Sequence, residues 1–349
     1  ALMRRRVKGN IPAIRTRLNN KRHTAVFIGT ADPTKNPFEL LTFARKMVGS
    51  ATTEKAGTLG IWVNGFDDET QEQLVLYLTA AAMAAAYSTP SFKSKPTQTK
   101  IKQMKIIGSR ERLDLRRVTA EAEGNNLARC LTALPANKLD AYAYRELLTD
   151  IAIAEGWEHK EYGINELVEM GAGAFAAVAQ GNENDSAAIV RLRYRPGAKD
   201  VSPALSLVGK GIIFDTGGSN LKPFNSMLNM HIDMGGSAVA LGSLLALARS
   251  QANIPVDAWL AITENRTGPM AYKSQDVVTA MNGKTIQTIH TDAEGRMALA
   301  DALVLASLDK PEALIDYATL TGACISAITK RYSGVFTNRP DLHPILKKC

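Results

Sequence analysis

LVGKGIIFDTGGSNLKP, residues 207–223, starts apolar and ends polar. The apolar part reads as a strand, ALSLVGKG (204–211), and DTGG taken alone reads as a tight turn after it. Short runs of this kind alternate with longer helical patterns through the chain, which is the pattern of an α/β fold with mostly parallel strands. In open α/β sheets, ligands gather at the carboxyl ends of strands. Polar residues gather there here: Lys210 and Asp215 after ALSLV, Glu264 and Asn265 after AWLAI, and Thr319 to Gly322 after ALIDY.

Upstream, HTAVFIGT (23–30), TLGIWVNG (58–65) and IKQMKIIG (101–108) read as strands. PFELLTFARKMVGS (37–50) and DETQEQLVLYLTAAAMAAAYS (68–88) read as helices, and TPSFKSKPTQTK (89–100) as a loop. Residues 1–110 are therefore expected to form a small N-terminal α/β domain, 111–135 a linking helix ending near Pro135, and 136–349 a second α/β domain. The second domain is expected to hold helices at 141–156, 235–250 and 296–308, and strands at 187–194, 204–211, 256–262 and 313–320. A length of 349 residues suits two domains.

The composition, 45% hydrophobic and 22% charged, is that of an ordinary globular protein. No uninterrupted apolar run approaches the ~20 residues of a membrane helix, so no membrane partner is expected. Cys130, Cys324 and Cys349 are scattered and lack metal-ligand spacing, which fits a reducing, cytoplasmic setting. The formal charge is +8, and residues 1–31 hold Arg4, Arg5, Arg6, Lys8, Arg15, Arg17, Lys21 and Arg22 with no Asp or Glu. Such a segment suits phosphate contact or organelle targeting, and equally a solvated face.

Asp215-Thr216-Gly217 is also the signature of an aspartic protease. That chemistry needs two carboxylates sharing a proton, and no second Asp-Thr/Ser-Gly exists in the chain. Lys210 and Lys222 flank the aspartate, and nearby cations lower a carboxylate pKa, the opposite of what a dyad requires. Other carboxylates supply an alternative. NMHIDMGG gives Asp233, and HTDAEGR gives Asp292, Glu294 and Arg296. If the second stretch is extended, period two puts its three charged side chains on one face. Four carboxylates converging at strand ends would repel without cations, and divalent metals are the natural compensation. Oxygen-rich donors suit hard or borderline ions, and two ions sharing carboxylates make a hydrolytic centre. Taken singly, each piece has a structural reading. Thr291-x-x-Glu294 matches a helix capping box, DTGG a tight turn, DMGGSA a capped helix start, and His231 and His290 hydrogen-bonded neighbours.

As a set, LVGKGIIFDTGGSNLKP, MHIDMGGSAVALGSLLALA, TEN, GKTIQTIHTDAEGRMALADALVLAS and YATLTGACI resemble the leucyl aminopeptidase family, the two-metal cytosol-type aminopeptidases. LARCLTALPANKL and MGAGAFAAVAQGN upstream are similar as well, and the resemblance covers most of residues 125–330. It implies a macro-domain-like N-terminal α/β domain followed by a catalytic domain with a mixed, mostly parallel central sheet. It implies that Asp215 and Glu294 bridge two divalent ions, that Asp292 completes one, and that Lys210 and Asp233 complete the other. Zinc is the implied metal, with manganese, cobalt or magnesium as substitutes. Lys222 would stabilise the oxyanion, and Arg296 would hold a bicarbonate-like anion acting as general base. Met230, Thr319, Leu320 and Gly322 would line the pocket for the first side chain of a peptide substrate. A homohexamer is implied too. This chain departs from the family at Thr216, where Ser is common, at His231, where Lys is frequent, and at Cys349, before the family's usual tail, so the C-terminal part is expected to be missing. The competing readings are a nucleic-acid-binding protein using the basic segment, and a structural paralogue without catalysis.

Overall fold

The computed structural model describes residues 13–96, 101–108, 113–183, 185–197 and 201–347. Arg4, Arg5, Arg6 and Lys8 of the basic segment, and part of the 89–100 loop, lie outside the described residues. The chain divides into two compact units, Ala1–Ala318 and Thr319–Cys349.

The first unit begins with strands β1 (Ile14–Arg17) and β2 (Ala25–Ile28), an antiparallel pair. Helix α1 (Pro37–Thr52) starts where Asn36 accepts from the Glu39 N–H and Pro37 takes the first turn. It buries Leu40, Ala44 and Val48, spaced one turn apart. Strand β3 (Thr58–Trp62), helix α2 (Asp68–Ala86) and strand β4 (Gln103–Ile107) follow, with β3 parallel to β4. These strands do not merge into one layer, since the two pairs are separate two-stranded sheets. Arg15 and Arg17 both pair with Glu54, so part of the basic segment is internally neutralised.

Helices α3 (Arg116–Ala133) and α4 (Ala141–Glu155) lead to β5 (Glu158–Gly163), α5 (Ile164–Glu169), α6 (Gly173–Ala179) and β6 (Ala188–Tyr194). Then come β7 (Leu205–Asp215), the single-turn α7 (Phe224–Met227), α8 (Gly235–Arg249) and β8 (Val256–Asn265). A short hairpin of β9 (Val277–Thr279) and β10 (Thr285–Gln287) precedes α9 (Glu294–Leu308) and β11 (Ala313–Tyr317). The second unit holds α10 (Gly322–Ile328) and α11 (His343–Leu346).

Strands order β11-β7-β8-β6-β5 in one mixed sheet. β11, β7 and β8 are parallel, and β6 runs antiparallel to both its neighbours. One face packs Val190, Leu207, Ala258 and Leu260 against Tyr144, Leu148, Leu241 and Leu244. The other packs Val208, Ile212, Trp259 and Ala261 against Phe175, Leu299 and Leu305. The architecture is thus three-layered, helix on sheet on helix, as the α/β pattern predicts. From β7 the chain crosses by α8 to β8 on one side, then by α9 to β11 on the other. This reversal around β7 opens a crevice over the carboxyl ends of the parallel strands, where ligands bind in such sheets.

The stretch Phe224–Arg249 is long and apolar enough to cross a membrane by composition. It is divided among α7, a 3-10 turn and α8, and more than half of it is buried, which is the setting of a core helix.

Candidate metal centre

Lys210 lies inside β7 as expected, but β7 and β8 run several residues further than the sequence suggests, so Asp215 ends β7. The register shifts between Ile212 and Asp215, and the pairing resumes at Asp215 with Asn265, the last residue of β8. Beyond Asp215 the chain turns through Gly217 (φ +87°) and Gly218 (φ +66°), conformations that suit glycine. The turn is closed by Thr216, whose N–H and hydroxyl both donate to the Asn265 carbonyl at 3.0 and 2.7 Å. The Gly217 N–H donates to Asp215 Oδ1 at 2.8 Å.

Lys210 is 2% exposed, and its Nζ lies 2.7 Å from Asp233 Oδ2 and 2.9 Å from Glu294 Oε1. Asp233 arrives from the 3-10 turn Met230–Ile232 that leads into α8, and Glu294 opens α9. Gly295 leaves room for the lysine: a Cβ there would sit 2.6 Å from Lys210 Cε. Lys222, after the glycine turn, pairs with Asp215 Oδ2 at 2.9 Å and with Asp292. Two ammonium groups therefore tie together four carboxylates from three segments. Asp215, Asp292 and Glu294 each offer an oxygen within 4.8 Å of the others.

The electrostatics follow from burial and crowding. Asp233 is pushed up to about 7, first by burial and then by Glu294 and Asp215, with Lys210 opposing. Glu294 is also raised, chiefly by burial, with Lys210 opposing and the Asp215 carboxylate adding to the rise. Burial works against the charge of Lys210, but Asp233 and Glu294 outweigh it and hold its pKa above the usual lysine value. Lys222 is likewise raised: burial opposes, and bonds to Asp292 and Asp215 prevail. Tyr272 is raised by burial and by the neighbouring carboxylates. Clustered acids with oxygen donors, at a cost only partly met by two cations, fit divalent ions.

Asp292, Glu294 and Arg296 do not form an extended run. His290 caps a 3-10 turn, Thr291–Ala293, through its Nδ1, which accepts from the Asp292 N–H at 3.2 Å, and α9 follows directly. Residues two apart on a helix diverge, so Glu294 is buried while Arg296 is exposed. Thr291 does not build a capping box either. Its hydroxyl donates to the Gly217 carbonyl at 2.6 Å and accepts from the Asn220 N–H at 2.8 Å, pinning the glycine turn to the start of α9. Tyr272 OH donates to the Thr291 carbonyl at 2.7 Å. Asn220, Thr291 and Tyr272 are neighbours of the carboxylates that motif reading passes over. Asn265 had two visible signals, its place at a strand's carboxyl end and in the TEN stretch.

A cleft of about 440 Å³ adjoins the carboxylates, lined by Asn220, Leu221, Lys222, Pro223, Ser226, His290 and Asp292. Met230 is half-buried in the 3-10 turn and is not among those lining residues. Thr319, Leu320 and Gly322 belong to the second unit, where the first two are exposed and Gly322 opens α10.

Residues 126–349 match the model of the cytosol aminopeptidase family, catalytic domain. A probable cytosol aminopeptidase of Gloeobacter violaceus is 35% identical over 303 residues, covering 82% of this chain and 60% of that protein. One from a Polaromonas species is 38% identical over 276 residues, covering 78% and 54%. The chain thus spans little more than half the length of these relatives. Among solved structures, the bottromycin maturation enzyme BotP in complex with Mn is 28% identical with a TM-score of 0.80, covering 91% of this chain and 69% of that one. A tomato leucine aminopeptidase variant is 25% identical with a TM-score of 0.81, covering 91% and 62%.

Proposed function

The chain belongs to the cytosol aminopeptidase family, and from that premise we propose that it is a metal-dependent aminopeptidase removing N-terminal residues from short peptides. The observation that carries the reading is the convergence of Asp215, Asp292 and Glu294 oxygens within 4.8 Å, with Lys210 and Asp233 beside them. Asp215 and Glu294 would hold both of two divalent ions, Asp292 one, and Lys210 with Asp233 the other. Zinc is the proposed resident, with manganese, cobalt or magnesium as substitutes, and the manganese complex of BotP supports a divalent ion. When bound, such ions ionise a water near neutral pH and polarise a carbonyl.

The chain's own residues do the rest. Lys210 must release its proton to serve as a ligand, which a neighbouring dication favours. Lys222, shared between Asp215 and Asp292, would in its protonated form donate to the oxyanion of a peptide carbonyl attacked at the cleft. Arg296 is exposed, with no ion pair among the described residues, and is free to hold a bicarbonate-like anion as general base. The end bounded by Asp233 would take the substrate's α-amine, which restricts cleavage to the first residue. Met230, Thr319, Leu320 and Gly322 are the proposed lining for that residue's side chain. A division at 1–110, 111–135 and 136–349, a homohexameric assembly and a cytoplasmic setting complete the proposal.

The test is turnover of leucyl p-nitroanilide by chelator-treated protein with manganese or zinc restored. Activity should appear with the metal, and Asp292→Ala should abolish it. A variant as active as the parent would end this reading.

A further inference from the structure

Asn265 is fully buried, and its Nδ2 meets three acceptors from two segments. It donates to Asp215 Oδ1 at 2.8 Å and to the Thr291 carbonyl at 3.1 Å, and lies 3.4 Å from Glu294 Oε2. A flipped carboxamide would turn its oxygen onto two carboxylates, so electrostatics fixes its orientation. The residue's own Oδ1 has no hydrogen-bond partner among the described residues. It is accommodated by Gly218, where a Cβ would come within 3.0 Å of it. A buried carbonyl oxygen without a donor is unfavourable, so the side chain is seated by the anions its amide faces. The division of oxygens is regular. Asp215 gives Oδ1 to Asn265 and Oδ2 to Lys222, while Glu294 gives Oε2 to Asn265 and Oε1 to Lys210.

We infer that Asn265 is a positioning residue of the metal centre. By holding one oxygen of Asp215 and one of Glu294, it sets the rotation of both carboxylates so that Oδ2 and Oε1 face the cation side. Its main-chain carbonyl, bound twice by Thr216, ties that setting to the turn after β7. The inference rests on the metal-dependent reading above.

Two variants separate positioning from mere support. Asn265→Leu keeps the branched shape without donors, and Asn265→Ala removes both. Manganese affinity of the chelator-stripped proteins, measured calorimetrically below their unfolding temperatures, is expected to fall about 10–100-fold in each. A purely structural role would lower the unfolding temperature of the stripped protein and leave the affinity of folded molecules unchanged. Parental affinity and stoichiometry in either folded variant overturn the inference. Should neither fold, ¹⁵N-asparagine labelling of the parent decides. The Asn265 carboxamide protons are expected to exchange slowly with solvent and to shift on zinc loading, and rapid exchange or an unmoved signal overturns the inference. A parent that binds neither ion overturns the metal-dependent reading together with this one, whereas a metal-binding parent with equally competent variants overturns this one alone.

Discussion

Lys210 stands within a strand whose other residues before Asp215 are small or apolar, and its ammonium is answered by carboxylates from two other segments. Removing one member of a buried pair leaves charge without compensation. Lys210→Met should therefore lower the stability of the metal-stripped protein at pH 8 by about 3–5 kcal/mol, read from urea unfolding. Asp233 gives a pH signature. Its folded-state value of about 7 exceeds the unfolded carboxylate value, so folding favours the protonated form. That contribution is present at low pH and is lost as pH rises through about 7. The unfolding midpoint of stripped protein should accordingly fall between pH 5 and pH 8, and Asp233→Asn should flatten that slope. These charged residues were legible because charges in such company are chemically unusual. Thr291 was not: its local spacing matches a cap, and its real partners, Gly217 and Asn220, lie about seventy positions away in sequence.

Helices α1, α2, α4, α8 and α9 were readable from their helical residue patterns, for the physical reason that such patterns are local. β5 (EHKEYG) was not, because it has no apolar run; as the outer strand of the sheet it carries the charges that edge strands use. The lengths of β7 and β8 were also hidden, since pairing extends both beyond their apolar stretches as far as Asp215 and Asn265. Close helix packing adds glycines with distinct consequences. A Cβ on Gly124 of α3 would overlap the Gly242 carbonyl of α8, backbone against backbone. Gly124→Ala should thus force the helices apart and cost about 1–3 kcal/mol or more, seen as a lower melting temperature. At Gly295 the obstacle is the Lys210 side chain instead. Gly295→Ala should displace that ammonium, so turnover should drop more sharply than thermal stability.

Across the whole molecule, the proposed metal ligands are borne by β7, by the turn before α8 and by the start of α9, elements that cover both faces of one sheet. Ions bound there would clamp the three layers together. The melting temperature should rise with manganese concentration, by an amount equivalent to about 2.7 kcal/mol at a hundredfold excess over the dissociation constant. Asp215→Asn should abolish most of that rise. The overall layering was legible from the alternation of elements, whereas the reversed direction of β6 was not, because strand orientation depends on partners that no local pattern names. The strand order has one more consequence, for biosynthesis. β7 lies between β8 and β11, yet β11 is made about a hundred residues after it. While a ribosome is still translating α9, the strand that carries Lys210 and Asp215 has one unpaired margin, and the nascent chain is most open to mispairing with its neighbours on a polysome until β11 emerges.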